Sequence, residues 1–331
     1  MKIARWVGVA GEAGDSGPLT HGFVEDDRVI PFGDGLTVAE VLARGLPGLA
    51  AVRAGADEAA AVPLAEVTLR APLDPASVRD FVAFEEHVEG VSAGVEGRSF
   101  VAPEWYEAPT FYFTNPHTIS GPLDLLRPPV TERLDFELEV ALVVGGVDGS
   151  DGANLDVGSA AAHIFGYTIM NDWSARDLQG REMKVRLGPA KGKDFGMTLG
   201  PWIVTADELA GYEDAEGFLA VRAEVYVNDE LIGHDLVSNA GWPFPEFVVY
   251  ASRNSRVVPG DVLGSGTVGN GGCLAELWGR NGSLTPPPLR EGDEVRMVVE
   301  GIGELVNRVG APVAAPPVPA ARVRPRIRHR A

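Results

Sequence analysis

The stretch at residues 134–144, LDFELEVALVV, decides the fold class. In an extended chain alternate side chains lie on one face, so Glu137 and Glu139 point the same way. After Glu139 both faces become apolar, which is typical of a strand buried on both sides. Buried carboxylates need partners. The stretch therefore predicts a buried β-strand whose two glutamates bind something positive, with a solvated strand edge as the alternative.

Composition indicates a globular protein with an acidic body. The chain has 331 residues, of which 45% are hydrophobic, and a formal net charge of −19. Residues 321–331 carry five arginines, so residues 1–320 hold −19 − 5 = −24. Such a body repels phosphate backbones, so we expect no nucleic-acid partner. The composition of residues 313–331, rich in proline and arginine, predicts a disordered tail, with contact to an anionic partner as the alternative.

Two absences favour a cytoplasmic location without a membrane partner. No stretch approaches the ~20 apolar residues of a membrane span, and the first residues lack the apolar run of a signal peptide. Cys273 is the single cysteine of the chain. It excludes an intrachain disulfide and a thiolate zinc cage. Any metal ion must then be held by oxygen or histidine ligands.

The order of sequence patterns predicts a β-rich mixed α/β fold in three segments. Residues 1–70 contain a strand, a hairpin and a short helix, TVAEVLARG, ended by Gly45, and we interpret them as a small N-terminal domain. Residues 71–312 are mostly strand patterns, with a tight turn at Asn228 and Asp229. Within them SARDLQGREM (174–183) and FPEFVVYASRN (244–254) indicate helices. The tail follows.

Several acidic residues lie within predicted strands or directly at their ends. Glu137 and Glu139 would have Cβ atoms roughly 6 to 7 Å apart. Asp172 follows the apolar run IFGYTIM, and Asp80 lies where SVRDF could finish a short strand. Oxygen ligands of this kind suit Mg²⁺, Ca²⁺ or Mn²⁺. Spacing alone leaves plainer interpretations open, such as Asp172 as the N-cap of the next helix.

Four motifs in this order resemble the fumarylacetoacetate hydrolase superfamily: LDFELEVALVVGG (134–146), YTIMNDWSARDLQ (167–179), LGPAKGKDFGMTLGPWIVT (187–205) and DVLGSGTVGNGGCLAEL (261–277). The resemblance spans residues 72–309. It implies a β-roll catalytic domain, a homodimer and a divalent cation, Mg²⁺ before Ca²⁺ or Mn²⁺, held by acidic residues. The ligands that it implies are Glu137, Glu139, Asp172 and, as in the longer members, Asp80.

The resemblance also implies a catalytic histidine, His87, which lies seven residues after Asp80. We expect Asp80 before the helix that contains His87. In short members an H-x-x-E glutamate orients this histidine, but Gly90 stands at that position. In longer members the glutamate comes from a late L-E-L strand, and CLAELWG supplies Glu276.

Further residues match the polar groups around the reacting carbonyl. Arg176 and Gln179 share a helix face, and Lys193 completes this group. Thr267 matches a threonine that contacts the substrate. Tyr106 and Tyr112 belong to a long lid segment and are candidate substrate contacts, with simple packing of the lid as the alternative.

The resemblance implies a metal-dependent hydrolase that cleaves a C–C bond in a 1,3-dicarbonyl compound or an acylpyruvate or fumarylacetoacetate-like 2-oxo acid. His87 would deprotonate a water molecule, which attacks the distal carbonyl, and the C–C bond would break to leave an enolate. The alternatives are a 2-oxo acid decarboxylase, isomerase or hydratase of the same superfamily. A catalytically silent, metal-stabilised dimer is a further alternative, against which His87 and Lys193 argue.

Overall fold

A computed structural model describes residues 1–9, 17–96 and 98–324. The strands are β1 (Lys2–Gly8), β2 (Thr20–Glu25), β3 (Arg28–Pro31), β4 (Val62–Pro63), β5 (Val67–Arg70), β6 (Val78–Phe81), β7 (Phe111–Thr114), β8 (Ile119–Ser120), β9 (Leu125–Leu126), β10 (Leu134–Asp135), β11 (Leu138–Val144), β12 (Ile164–Asp172), β13 (Ser174–Ala175), β14 (Met197–Thr205), β15 (Arg222–Val227), β16 (Glu230–Leu236), β17 (Val262–Gly264), β18 (Glu294–Val299) and β19 (Gly303–Val309). The helices are α1 (Val38–Ala54), α2 (Glu85–Glu96), α3 (Val157–Ala160), α4 (Arg176–Met183), α5 (Ala206–Leu209), α6 (Phe244–Ser252) and α7 (Leu274–Asn281).

The buried strand predicted from LDFELEVALVV is confirmed, but it is not continuous. Every residue of β11 is buried, and β11 lies between β12 and β17, antiparallel to both. The chain leaves the extended ladder at Phe136 and Glu137, between β10 and β11. There the Glu137 N–H donates to the Asn171 side chain at 3.1 Å instead of to a strand. Glu137 therefore lies just outside the strand that holds Glu139.

The predicted β-rich mixed α/β class is confirmed. The large sheet has the order β4-β3-β2-β1-β14-β12-β11-β17-β6-β7, and a second sheet has the order β16-β15-β18-β19-β9. Asn228 and Asp229 form the tight turn between β15 and β16, with φ of 50° and 65°. Both positive φ values match a type I′ hairpin turn.

Residues 1–70 share a sheet and a core with the rest of the protein. Strand β1 pairs with β14, so the N-terminal strands extend the large sheet. Ile3 and Phe23 belong to the same buried cluster as Val143 and Phe165. A boundary at residue 70 stays a prediction. Within α1, Gly45 has φ of 66°, so it interrupts the helix and does not end it as predicted.

The C-terminal segment leaves the second sheet after β19. The Val313 N–H donates to the Pro128 carbonyl at 2.8 Å, and residues 314–324 contain neither strand nor helix. Residues 325–331, which carry three of the five tail arginines, lie outside the described residues. In the part of the chain that the structure describes, no helix is both long and apolar enough to cross a membrane.

Candidate active site

The four carboxylates predicted as metal ligands converge at one end of the central strands. Asp80 lies in β6, Glu139 in β11 and Asp172 at the end of β12, while Glu137 precedes β11. These strands lie within four consecutive positions of the large sheet, β12-β11-β17-β6, which brings their side chains together. All four residues are at most 4% exposed. Oxygen atoms of Asp80, Glu137 and Asp172 lie within 4.8 Å of one another.

Gly264 in β17 leaves the space in which two of these carboxylates meet. It pairs with Asp80 on one side and with Ala141 of β11 on the other. A Cβ added at Gly264 would lie 2.7 Å from Oε2 of Glu139 and 3.1 Å from Oδ1 of Asp80. Real Cβ atoms do not approach oxygen closer than about 3 Å without a shift of one group. The missing side chain therefore permits the approach of Glu139 and Asp80.

Cationic side chains bind one half of the carboxylate cluster. The Lys193 ammonium donates to Oδ2 of Asp172 at 2.7 Å and also to Glu137. Arg176 donates to Oε1 of Glu137 at 2.7 Å. Burial acts to raise the pKa of Glu137, but the charges of Lys193 and Arg176 outweigh it and hold that pKa below its usual range. The Tyr112 hydroxyl donates to Asp172.

The other half of the cluster has carboxylate oxygens without partners. Among the described residues, Oδ1 of Asp80, Oε1 of Glu139 and Oδ1 of Asp172 are buried and accept no hydrogen bond. Burial, together with the neighbouring carboxylates, raises the pKa of Asp80 and of Glu139 well above its ordinary value. Converging hard oxygen donors of this kind are the ligands that Mg²⁺, Ca²⁺ and Mn²⁺ prefer. The residues present therefore fit a divalent cation.

His87 lies beside the cluster in the first turn of α2, which begins at Glu85, after β6 has ended at Phe81. The predicted placement, with Asp80 before the helix and His87 within it, is confirmed. His87 is 8% exposed, and burial, helped by Arg176 and Lys193, lowers its pKa to about 4. The imidazole is therefore neutral at pH 7 and free to accept a proton.

The partner of His87 in the structure is a thiol. Its Nδ1 atom lies 3.6 Å from Sγ of Cys273. Glu276, the predicted partner, lies in helix α7 and not in a strand. Its Oε1 accepts the Gly271 N–H at 3.2 Å and pairs with Arg280 at 2.8 Å. Within the described residues no hydrogen bond joins His87 to Glu276, so no direct contact supports Glu276 as the residue that orients His87.

The remaining predicted residues divide into those near the cluster and one that is not. Arg176 has a side chain 10% exposed and donates to Oε1 of Gln179 at 3.1 Å. Thr267 is 2% exposed and follows Gly266, whose N–H donates to Glu139 at 3.0 Å. Tyr106, in contrast, is 55% exposed, and its hydroxyl donates to Glu85. Tyr106 therefore contacts the outer side of α2 and not the carboxylate cluster.

A small pocket opens beside the cluster. Its volume is about 230 Å³. It is lined by residues 112–115, which include Tyr112, and by Pro189, Ala190, Lys193 and Asp194. Tyr112 and Lys193 both contact Asp172, so the pocket leads to the metal-ligand candidates.

The match to a known family extends over most of the chain. The family model described as fumarylacetoacetate (FAA) hydrolase C-terminal matches residues 76–310. This chain belongs to the fumarylacetoacetate hydrolase family. All four candidate ligands and His87 lie within the matched range, and the resemblance inferred from the four motifs is confirmed.

The relatives that match this chain are named for different activities. The fumarylacetoacetase of Arabidopsis thaliana is 32% identical over an alignment of 284 residues, and the match covers 70% of this chain and 66% of that protein. Oxaloacetate tautomerase YisK of Bacillus subtilis (strain 168) is 29% identical over 253 residues, 75% of this chain and 74% of that protein. The solved structure of a fumarylacetoacetate hydrolase from psychrophilic Exiguobacterium antarcticum has a TM-score of 0.70 at 26% identity, covering 94% of this chain and 99% of that one. This chain spans about two thirds of the length of the plant protein.

Two residues of this family member were not assigned roles from the sequence. Asp135, fully buried, accepts the N–H groups of Leu274 and Ala275 at 2.8 and 3.0 Å and the Arg176 Nε–H at 2.8 Å. Cys273 contacts His87. The position of Asp135, two residues before Glu137 in a buried stretch, was a usable signal. For Cys273 the signal was its place three residues before Glu276.

Proposed function

We propose that the protein is a metal-dependent hydrolase that cleaves a C–C bond in an acylpyruvate or a related 1,3-dicarbonyl 2-oxo acid. The observation that carries the proposal is the buried cluster of Asp80, Glu137, Glu139 and Asp172, with unpartnered oxygens, beside a neutral His87. The family membership and the fumarylacetoacetase relatives support it.

In this proposal the four carboxylates bind the cation and the neutral histidine transfers the proton. Asp80, Glu137, Glu139 and Asp172 would hold the divalent cation, which supplies positive charge to two oxygens of the dicarbonyl when it is bound. His87 takes a proton from water as the water oxygen attacks the acyl carbonyl. The C–C bond then breaks, its electron pair passes to the 2-oxo acid fragment, and the proton held by His87 returns to that carbon.

Lys193 and Arg176 supply the remaining positive charge. Lys193 is buried, the Arg176 side chain is only 10% exposed, and both donate to Glu137, so their positions are fixed before a substrate binds. Asp172 and Glu137 raise the pKa of Lys193 against the opposing effect of burial, so its ammonium stays charged at neutral pH. Fixed donors in a buried site stabilise developing negative charge with little reorganisation.

The direct test is turnover of acetylpyruvate by the Mg²⁺-loaded protein. We expect equal amounts of acetate and pyruvate, followed by the loss of the ultraviolet absorbance of the enol and by a coupled assay for pyruvate. Loading with Mn²⁺ and with Ca²⁺ identifies the most effective cation. Intact acetylpyruvate after long incubation with each of the three cations would exclude acylpyruvate hydrolysis.

A second candidate is a reaction of a 2-oxo acid that needs no activated water, such as tautomerisation or decarboxylation of oxaloacetate. The specific observation in its favour is that His87 lies beside a thiol and, among the described residues, has no hydrogen bond to a carboxylate, while burial lowers its pKa to about 4. The tautomerase relative from Bacillus subtilis also supports it. Incubation with oxaloacetate distinguishes the two: faster keto–enol exchange or release of CO₂, with acetylpyruvate untouched, would select the second candidate.

A further inference from the structure

The first turn of α7 contacts both the histidine and the cationic half of the site. Cys273 is the N-cap of α7, and its Sγ accepts the Glu276 N–H at 3.4 Å. The same sulfur lies 3.6 Å from Nδ1 of His87. Sulfur is a weak donor and a weak acceptor, so such contacts orient a partner with little effect on its charge.

Asp135 holds this turn in place through hydrogen bonds to its backbone. Its carboxylate accepts the N–H groups of Leu274 and Ala275, the two residues that follow Cys273. It also binds Arg176 through Nε at 2.8 Å, and Arg176 binds Glu137. A carboxylate at a helix N-terminus satisfies orphan N–H groups and complements the helix dipole. One fully buried residue thus fixes the thiol of Cys273 and the guanidinium of Arg176 in the same frame.

We propose that Cys273 is the positioning residue for His87, with the imidazole Nδ1–H donating to its sulfur and Asp135 holding that sulfur in place. This inference rests on the proposed function, because a base that acts at Nε2 must carry its proton on Nδ1. The tautomer of a neutral histidine is set by the hydrogen bond that its other nitrogen makes. The thiol therefore selects the reactive tautomer without adding a negative charge beside it.

The neutral state of the thiol fits this role. Cys273 is fully buried, and burial, with Asp135, raises the pKa of its thiol well above the ordinary value. A thiol exposes lone pairs to the Nδ1–H, whereas a thiolate would stabilise the protonated imidazole as a carboxylate does. The pair consequently orients His87 but leaves it a weak base.

The tautomer can be measured without any assay of activity. The Mg²⁺-loaded full chain, labelled with ¹⁵N-histidine, gives imidazole nitrogen signals, and His87→Gln identifies those of His87 by their loss. We expect the Nδ1-protonated tautomer in the wild type and in Cys273→Ser, and a mixture of tautomers in Cys273→Ala. An Nε2-protonated wild type, or a Cys273→Ala spectrum unchanged at His87, would overturn the inference.

Turnover of acetylpyruvate then separates positioning from a general loss of structure. Loss of one hydrogen bond of about 1 kcal/mol predicts a kcat about fivefold lower in Cys273→Ala, with KM unchanged and kcat restored in Cys273→Ser. The wild-type tautomer decides the case even if the alanine variant does not fold. If the tautomer changes as expected but no variant turns over acetylpyruvate, the positioning role stands and the proposed hydrolase function fails.

Discussion

Glu139→Gln should raise stability in chelator and should reduce the stabilisation that a divalent cation adds. In chelator at pH 8 the wild type holds a buried Glu139 with one unpartnered oxygen beside Asp80. Burial raises the pKa of Glu139, so ionisation of this carboxyl costs more in the folded state than in the unfolded chain, and stability is lost as pH rises. The neutral amide removes that penalty. We expect the chelated variant to be more stable than the wild type by about 1 to 3 kcal/mol.

With a cation the wild type gains about 2.3 kcal/mol more than the variant, which offsets most or all of the variant's advantage in chelator. At a concentration 100 times its Kd, a cation that binds only the folded state adds about 2.7 kcal/mol. If the loss of one ligand weakens binding ~100-fold, the same concentration adds only about 0.4 kcal/mol. For 331 residues, 2.7 kcal/mol corresponds to a Tm change of about 4 °C.

Thermal unfolding by calorimetry, with chelator and with Mg²⁺, measures both effects. Glu304→Gln on β19 is the matched control, because the Glu304 side chain is 51% exposed and lies in the second sheet, whereas the carboxylate cluster lies in the large sheet. It should respond to Mg²⁺ as the wild type does. A Glu139→Gln protein that keeps the full Mg²⁺-induced rise in Tm would refute Glu139 as a ligand.

Three further outcomes are expected. His87→Ala should lower kcat by roughly 10² to 10⁴ with unchanged Mg²⁺ affinity by calorimetric titration, whereas the exposed His234→Ala should have no effect on either. Burial raises the pKa of Glu276 to about 7 against the opposing charge of Arg280. The free energy of unfolding of the wild type should therefore fall between pH 4.5 and 7, by roughly 3 kcal/mol at most, relative to that of Glu276→Gln. Denaturant unfolding that gives the same pH dependence for both proteins would contradict this. Gly90→Ala should destabilise the protein by about 1 to 3 kcal/mol because its Cβ would overlap the Glu276 side chain, while Gly180→Ala in α4, with open space around it, should be neutral or stabilising by up to about 1 kcal/mol in the same denaturation assay.

Strand geometry predicted buried positions for Glu139 and Asp172, and the family resemblance grouped these carboxylates into one cluster. The apolar run that ends at Asp172 and the two-sided burial after Glu139 predicted central strands, and neighbouring strands bring such positions together. Asp80 required the resemblance, since a short strand of four residues carries too little pattern to be recognised by itself. The break at Phe136 and Glu137 was not predictable, because it depends on a hydrogen bond to Asn171, 34 positions away.

The partner of His87 was missed because it depends on how two helices align. His87 and Gly90 are three residues apart in α2, and Cys273 and Glu276 are three residues apart at the start of α7. In the structure His87 contacts Cys273, and Gly90 lies against Glu276. The two contacts are one helical turn apart along α2 and α7. A shift of one turn would put Glu276 opposite His87, and the sequence does not fix that alignment.

Gly90 explains why the observed alignment is stable. A side chain at this position would lie within 3.2 Å of Cα of Glu276, so only glycine lets α7 approach α2 this closely. In the short members of the family an H-x-x-E glutamate occupies this place on the lid helix, whereas here the Glu276 side chain enters the space from α7. The carboxylate is thus near the position where the family pattern expects one, but it is directed to Gly271 and Arg280, and the thiol of Cys273 contacts the imidazole in its stead. Gly90 and Cys273 therefore shape the environment of His87 together, the first by the close approach of α7 to α2 and the second by its contact with the imidazole.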